Sequence, residues 1–122
     1  MDADAVGKDV FDALRDFGAK GTVLWADEAL VFLAARPEFY QSAIAVAKAL
    51  NSYTTSHEPG IVESISVYVS HDPELDTDDV VFSLSLSTPS SEEWERWESV
   101  LKFLDSRLSS DDKIRTLVRI AP

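Results

Sequence analysis

The segment His71-Asp72-Pro73-Glu74-Leu75-Asp76-Thr77-Asp78-Asp79 gathers one imidazole and five carboxylates within nine residues. Oxygen donors recurring at alternate positions are what a calcium loop supplies. A loop of the EF-hand type starting at Asp72 needs glycine sixth and glutamate twelfth. Thr77 and Ser83 stand at those places, so the segment reads as an acidic hairpin loop and no metal is assigned to it. Carboxylates this close repel one another and favour cationic company. His71 beside Asp72 has the chemistry of a general base, but no nucleophile stands at a fixed spacing from it. The other histidine, His57, is separated from it by a predicted strand of about 33 Å, too far for one shared ion. No Gly-x-Ser-x-Gly, His-Glu-x-x-His, Walker loop or Gly-x-Gly-x-x-Gly occurs. The expectation is a protein without catalytic residues and without a cofactor.

Charge is more informative than motif. The 122 residues carry a net charge of −11, which disfavours nucleic acid and anionic membrane surfaces. Residues 49 to 95 hold ten acids (Glu58, Glu63, Asp72, Glu74, Asp76, Asp78, Asp79, Glu92, Glu93, Glu95) and no lysine or arginine. Residues 96 to 122 are slightly basic, with six cations against four acids. Such a field steers a basic partner toward the acidic side. The absence of cysteine excludes disulfides and thiolate chemistry. The start, Met1-Asp2-Ala3-Asp4, is acidic where a targeting peptide needs basic residues. No apolar run reaches the ~20 residues of a membrane span. A cytoplasmic location is expected.

The elements that must position these groups fit one domain spanning 1–122. Val6, Val10, Ala13, Leu14 and Phe17 predict a helix over about 4–17, closed at Gly18. Residues 21–35 are open between a strand followed by a helix and a hairpin turning at Asp27-Glu28; clustered β-branched and aromatic residues favour the hairpin. Pro37 opens a helix through about Ser52, with Phe39, Ala43, Val46, Ala47 and Leu50 on one face, and 51–60 reads as a loop. Alternation over 61–70 and 80–87 predicts a hairpin. One face of that hairpin takes Ile61, Ile65, Val67 and Val69, and the other takes Val62, Ser64, Ser66 and Tyr68. A helix over 91–108, with a Ser90/Glu93 capping box, leads to a strand over 113–120. The order α-(ββ)-α-β-β-α-β implies an α+β fold: one mostly antiparallel sheet of three to five strands with helices on one face. The last strand is placed antiparallel beside 61–70.

Three further features need a place. Trp94, Trp97, Leu101, Leu104 and Leu108 fall within an arc of about 80° and read as core. Phe103 lies opposite that arc near Arg96 and Arg107, the composition of an interface anchor. Ser64, Ser66, Ser83 and Ser85 form a small-hydroxyl sheet face, an unusual choice for strands.

The opening order in FDALRDFGAKGTVLWADEALVFLAA is similar to that of Roadblock/longin-type modules, which are dimeric regulators. The resemblance covers at most the first fifty residues, and the later strand–strand–helix–strand order departs from it. The composition also resembles that of small acidic immunity proteins and secretion chaperones, a likeness that transfers no residues. The leading expectation is a non-enzymatic, inhibitor- or immunity-like module that binds a basic protein surface. Asp72, Glu74, Asp76, Asp78, Asp79, Tyr68 and Phe103 are its partner-binding residues, with Glu92–Glu95 extending the acidic side. The alternatives are a ligand-binding or enzymatic domain with a pocket near His71 and Tyr68, and a homo-oligomer.

Overall fold

The computed structural model describes residues 2–56, 62–87 and 93–120. Six helices and four strands follow in the order α1 (Ala3–Ala13), α2 (Arg15–Gly18), β1 (Thr22–Trp25), α3 (Asp27–Ala35), α4 (Pro37–Ser56), β2 (Val62–Asp72), β3 (Thr77–Leu86), α5 (Glu93–Arg107), α6 (Ser110–Arg115) and β4 (Thr116–Ile120). The fold is α+β: one four-stranded sheet, ordered β1-β2-β3-β4, with helices packed against it. The hairpin pair β2–β3 is antiparallel, while β1–β2 and β3–β4 are parallel. The sheet is therefore mixed. β4 lies beside β3 rather than beside β2.

The parallel pairs explain why residues 21–35 are not a hairpin. A parallel neighbour is reached only through a crossover connection, and α3 with α4 supplies it. Ala29, Leu30, Leu33, Ala34 and Ala35 are strong helix formers, and Asp27 and Glu28 in the first turn suit the positive end of the helix. An apolar run on all sides hid that period. The strand–turn–strand element behind the likeness to Roadblock/longin modules is thus absent. Two smaller corrections concern the ends of elements. Residues 51–56 continue α4 instead of looping out, and 110–115 form α6 before β4 begins. The hydroxyl of Ser109 accepts from the amide of Asp112, whose carboxylate accepts in return from the Ser109 amide, a capping box. The proposed Ser90 cap lies outside the described residues.

α4 is the centre of the structure. It touches α1, α2, α3, α5, α6 and β4. Such a role needs a wide buried arc of small side chains, and Ser42, Ala43, Val46, Ala47, Ala49, Leu50, Tyr53 and Thr54 are all buried. Against this arc pack Val6, Val10, Leu14 and Phe17 from α1 and α2, and Ile65, Val67, Val80, Phe82 and Leu84 from the sheet. Each larger buried side chain contributes roughly 1.5–3 kcal/mol. Polar ties hold the N-terminal helices to α4: the Tyr40 hydroxyl donates to Asp9 (2.5 Å), and the Phe17 amide donates to Asn51 Oδ1 (3.0 Å). At Gly21 a Cβ would meet the Phe17 ring at 2.5 Å, so only glycine lets the chain turn there into β1.

The register of β2 shifts between Val62 and Ser64. This bulge carries Val62, expected on the serine face, into the core at 6% exposure. The rest of that face is as the alternation implies: Ser64 opposes Ser85 and Ser66 opposes Ser83.

α5 is rotated from its expected setting. Val100 and Leu104 face the core, with Trp97 and Phe103 flanking them, while Trp94 is 68% and Leu101 42% exposed. The Phe103 ring packs edge-on against Tyr53 at 5.4 Å and carries the Arg107 guanidinium at 4.7 Å. The aromatic pair turns α5 toward Phe103, and Trp94 moves into solvent as a result.

Three stability measurements test this account. Ala47→Leu should cost about 1–3 kcal/mol in denaturant unfolding, because no space faces a fully buried alanine on the hub helix. Ser42→Ala should be neutral or stabilising by up to about 1 kcal/mol, since the buried Ser42 hydroxyl has no hydrogen-bond partner among the described residues. The hydrogen bond to Asp9, with burial and the Asp9 charge adding to it, raises the Tyr40 phenol above its ordinary 10.0. Its contribution is therefore intact below that pH and fades as pH climbs through the raised value. Tyr40→Phe should cost on the order of 0.5 kcal/mol at neutral pH, and the difference should shrink in strongly alkaline solution.

Candidate protein-interaction site

The β2–β3 hairpin is longer than the strands beside it. β1 pairs no further along β2 than Val67, and β4 begins its pairing with β3 at Val80. Three rungs, Ser70–Asp79, His71–Asp78 and Asp72–Thr77, therefore extend past both flanking strands. At about 3.3 Å per residue they form a finger about 10 Å long, capped by the turn at 73–76.

Local chemistry holds this finger in shape. Asp72 Oδ1 accepts from the amides of Glu74 (2.9 Å) and Leu75 (3.3 Å), closing the turn from within. Asp76 takes a left-handed φ of 51°, which aspartate tolerates better than most residues. His71 Nδ1 lies 2.7 Å from Asp78 Oδ1, and its Nε2 lies 3.6 Å from Asp76. The imidazole thus bridges the two strands.

The five predicted acids divide by environment. Asp72 serves the turn, and Asp78 faces His71. Asp79 lines a cavity of about 400 Å³ together with Phe39, Thr77, Asp78 and Arg115. Glu74 and Asp76 project into solvent, Asp76 with its side chain 94% exposed. Between them stands Leu75, 71% exposed. Tyr68 sits at the base of the finger, half-buried, in register with Val81.

Other acids lie at this same end. Asp27 and Glu28 directly follow β1, where the Ala26 amide donates to Val67 O (3.0 Å). Glu38 sits in the first turn of α4 beside Phe39 of the cavity. These three were missed because only the hairpin segment looked acidic by local count; the topology brings them to it.

Two expected members fall elsewhere. Phe103 packs on Tyr53, fourteen residues along α4 from Phe39 and hence about 21 Å away by helical rise. It is half-buried by α4 and belongs to the packing of α5, not to the finger. Glu93 and Glu95 belong to the first turn of α5, outside the hairpin and its turn. Glu92 and His57 lie outside the described residues.

Among the described residues no group of three or more histidine or acidic side chains is arranged to hold a metal ion, and no helix is long and apolar enough to cross a membrane. Compared with protein-family models, curated proteins and solved structures, the chain has no match.

The turn geometry gives a direct test. Asp72→Ala removes the carboxylate oxygen that accepts from both amides and should cost about 1 kcal/mol of local stability. Amide exchange at Glu74 and Leu75 should quicken several-fold, while exchange in the core strands stays as it was.

Proposed function

We propose that this chain is a non-enzymatic binding module whose acidic finger engages a basic surface on a partner protein. The observation that carries the reading is the projection of three hairpin rungs past both neighbouring strands, with the turn pinned by Asp72 and by His71–Asp78. A finger already held in one shape loses little conformational freedom on docking, so more of the contact energy appears as affinity. Glu74 and Asp76 supply the steering field, reinforced by Asp27, Glu28 and Glu38 at the same end. Exposed charges of this kind speed encounter more than they tighten the complex. Leu75 at the tip and Tyr68 at the base provide the apolar contact that desolvation rewards. An inhibitor- or immunity-like role fits a protruding element of this type, which can enter a basic cleft and block it.

Association kinetics with a partner recovered from native extract decide the matter. The double reversal Glu28→Lys/Glu74→Lys, both at exposed positions, spares Asp72, the left-handed Asp76, the His71–Asp78 pair and the core. It should lower the association rate on the order of tenfold at low salt and flatten its dependence on ionic strength. Leu75→Ala should act mainly on dissociation. An association rate indifferent to the reversal, or a partner whose contact surface is acidic, overturns the reading.

A further inference from the structure

We propose that the cavity at the base of the hairpin finger binds a small zwitterion, a free α-amino acid with an apolar side chain. The cavity, of about 400 Å³, lies between Phe39 of α4, Thr77, Asp78 and Asp79 of β3, and Arg115 at the end of α6. Its size falls within the range of small-molecule sites. The topology of the sheet builds it. Val80 and Thr116 pair as the first rung of the parallel strands β3 and β4. The residues just before them, Asp79 and Arg115, therefore bring an acid and a base to one place. Phe39 adds an apolar wall, its ring held edge-on against Phe32 at 5.1 Å.

The charges select the ligand. Asp79 and Arg115 are both half-buried, yet no ion pair joins them. Neither side chain has another charged or hydrogen-bonded partner among the described residues. A partly desolvated charge is costly unless it is paired, and here one of each sign is left open toward the same cavity. Asp78 differs, because its Oδ1 lies 2.7 Å from His71 Nδ1. A dicarboxylate or a phosphate would meet two acids against one guanidinium. A diamine would meet Arg115, and a neutral molecule would leave both charges unanswered. One ammonium and one carboxylate on the same molecule answer both, the guanidinium taking the carboxylate in its fork and Asp79 the ammonium. In an α-amino acid the two groups stand on a single carbon, which suits an acid and a base that precede the same rung. The side chain of the ligand then covers the Phe39 ring.

This site goes beyond the acidic finger and does not depend on it. Glu28, Glu74, Leu75 and Tyr68 do not line the cavity, so the two proposals succeed or fail separately.

Chemical-shift titration of the full chain with L-leucine, up to about 10 mM, tests the site. The expected result is saturable shifts at the amides of Thr77, Asp79 and Arg115. N-acetyl-leucine lacks the ammonium and leucinamide lacks the carboxylate; each should bind on the order of tenfold more weakly. Asp79→Asn should weaken leucine by a similar factor and erase its advantage over N-acetyl-leucine. Arg115→Gln should do the same for its advantage over leucinamide. Glu98→Gln, at an exposed position on α5 outside the cavity lining, should change nothing. The absence of saturable shifts, shifts confined to other residues, a blocked analogue that binds as tightly as leucine, or an affinity indifferent to both cavity variants overturns the proposal.

Discussion

Everything in this structure depends on one helix being able to touch almost everything else. α4 contacts all five other helices and β4, and it does so because Ala43, Ala47 and Ala49 let neighbours approach its backbone closely. Interiors are packed at crystal-like density, so such a hub tolerates little change in volume. Tyr53 is the largest side chain buried on it. That ring sets the rotation of α5 through Phe103, and its hydroxyl reaches Ser99 Oγ at 3.1 Å. The apolar flank left on α5 is thus a consequence of packing at α4.

The two ends of the sheet differ in character. Where β2 turns into β3, acids of the hairpin and of the first turns of α3 and α4 lie at one end, and the hairpin reaches past both neighbouring strands. At the β4 rim, charges nearly cancel and leucines reach the surface. The core is separate from both, since Ile65, Val67, Val80, Phe82 and Leu84 face the helices throughout.

Much of this was legible in the chain. The alternation over 61–70 and 80–87 marked the hairpin, and the pairing of Ser64 with Ser85 and Ser66 with Ser83 follows from it. The helix opened by Pro37 and its apolar face were equally clear. Three things were hidden. The period of residues 27–35 cannot be read, because apolar side chains occupy every side of α3. The setting of α5 depends on a contact with Tyr53, fifty residues away from Phe103, and a helical wheel sees only neighbours along the helix. The bulge at Glu63 leaves no mark in composition. For the candidate site, the five hairpin acids were visible, but the different work of each was not. Asp72 and Glu74 look alike in sequence, and only the turn shows that one carboxylate is committed inward and the other free.

The parallel pairings also govern how the sheet holds together over time. Joining Thr22 to Ser64 or Val80 to Thr116 closes loops of 42 and 36 residues, each with an entropy cost of about 3 kcal/mol. The hairpin closes across four residues and, on the same scaling, costs roughly 1.2 kcal/mol. The central hairpin is therefore the least costly pairing of the sheet to close, and the two parallel pairings that flank it are the most costly.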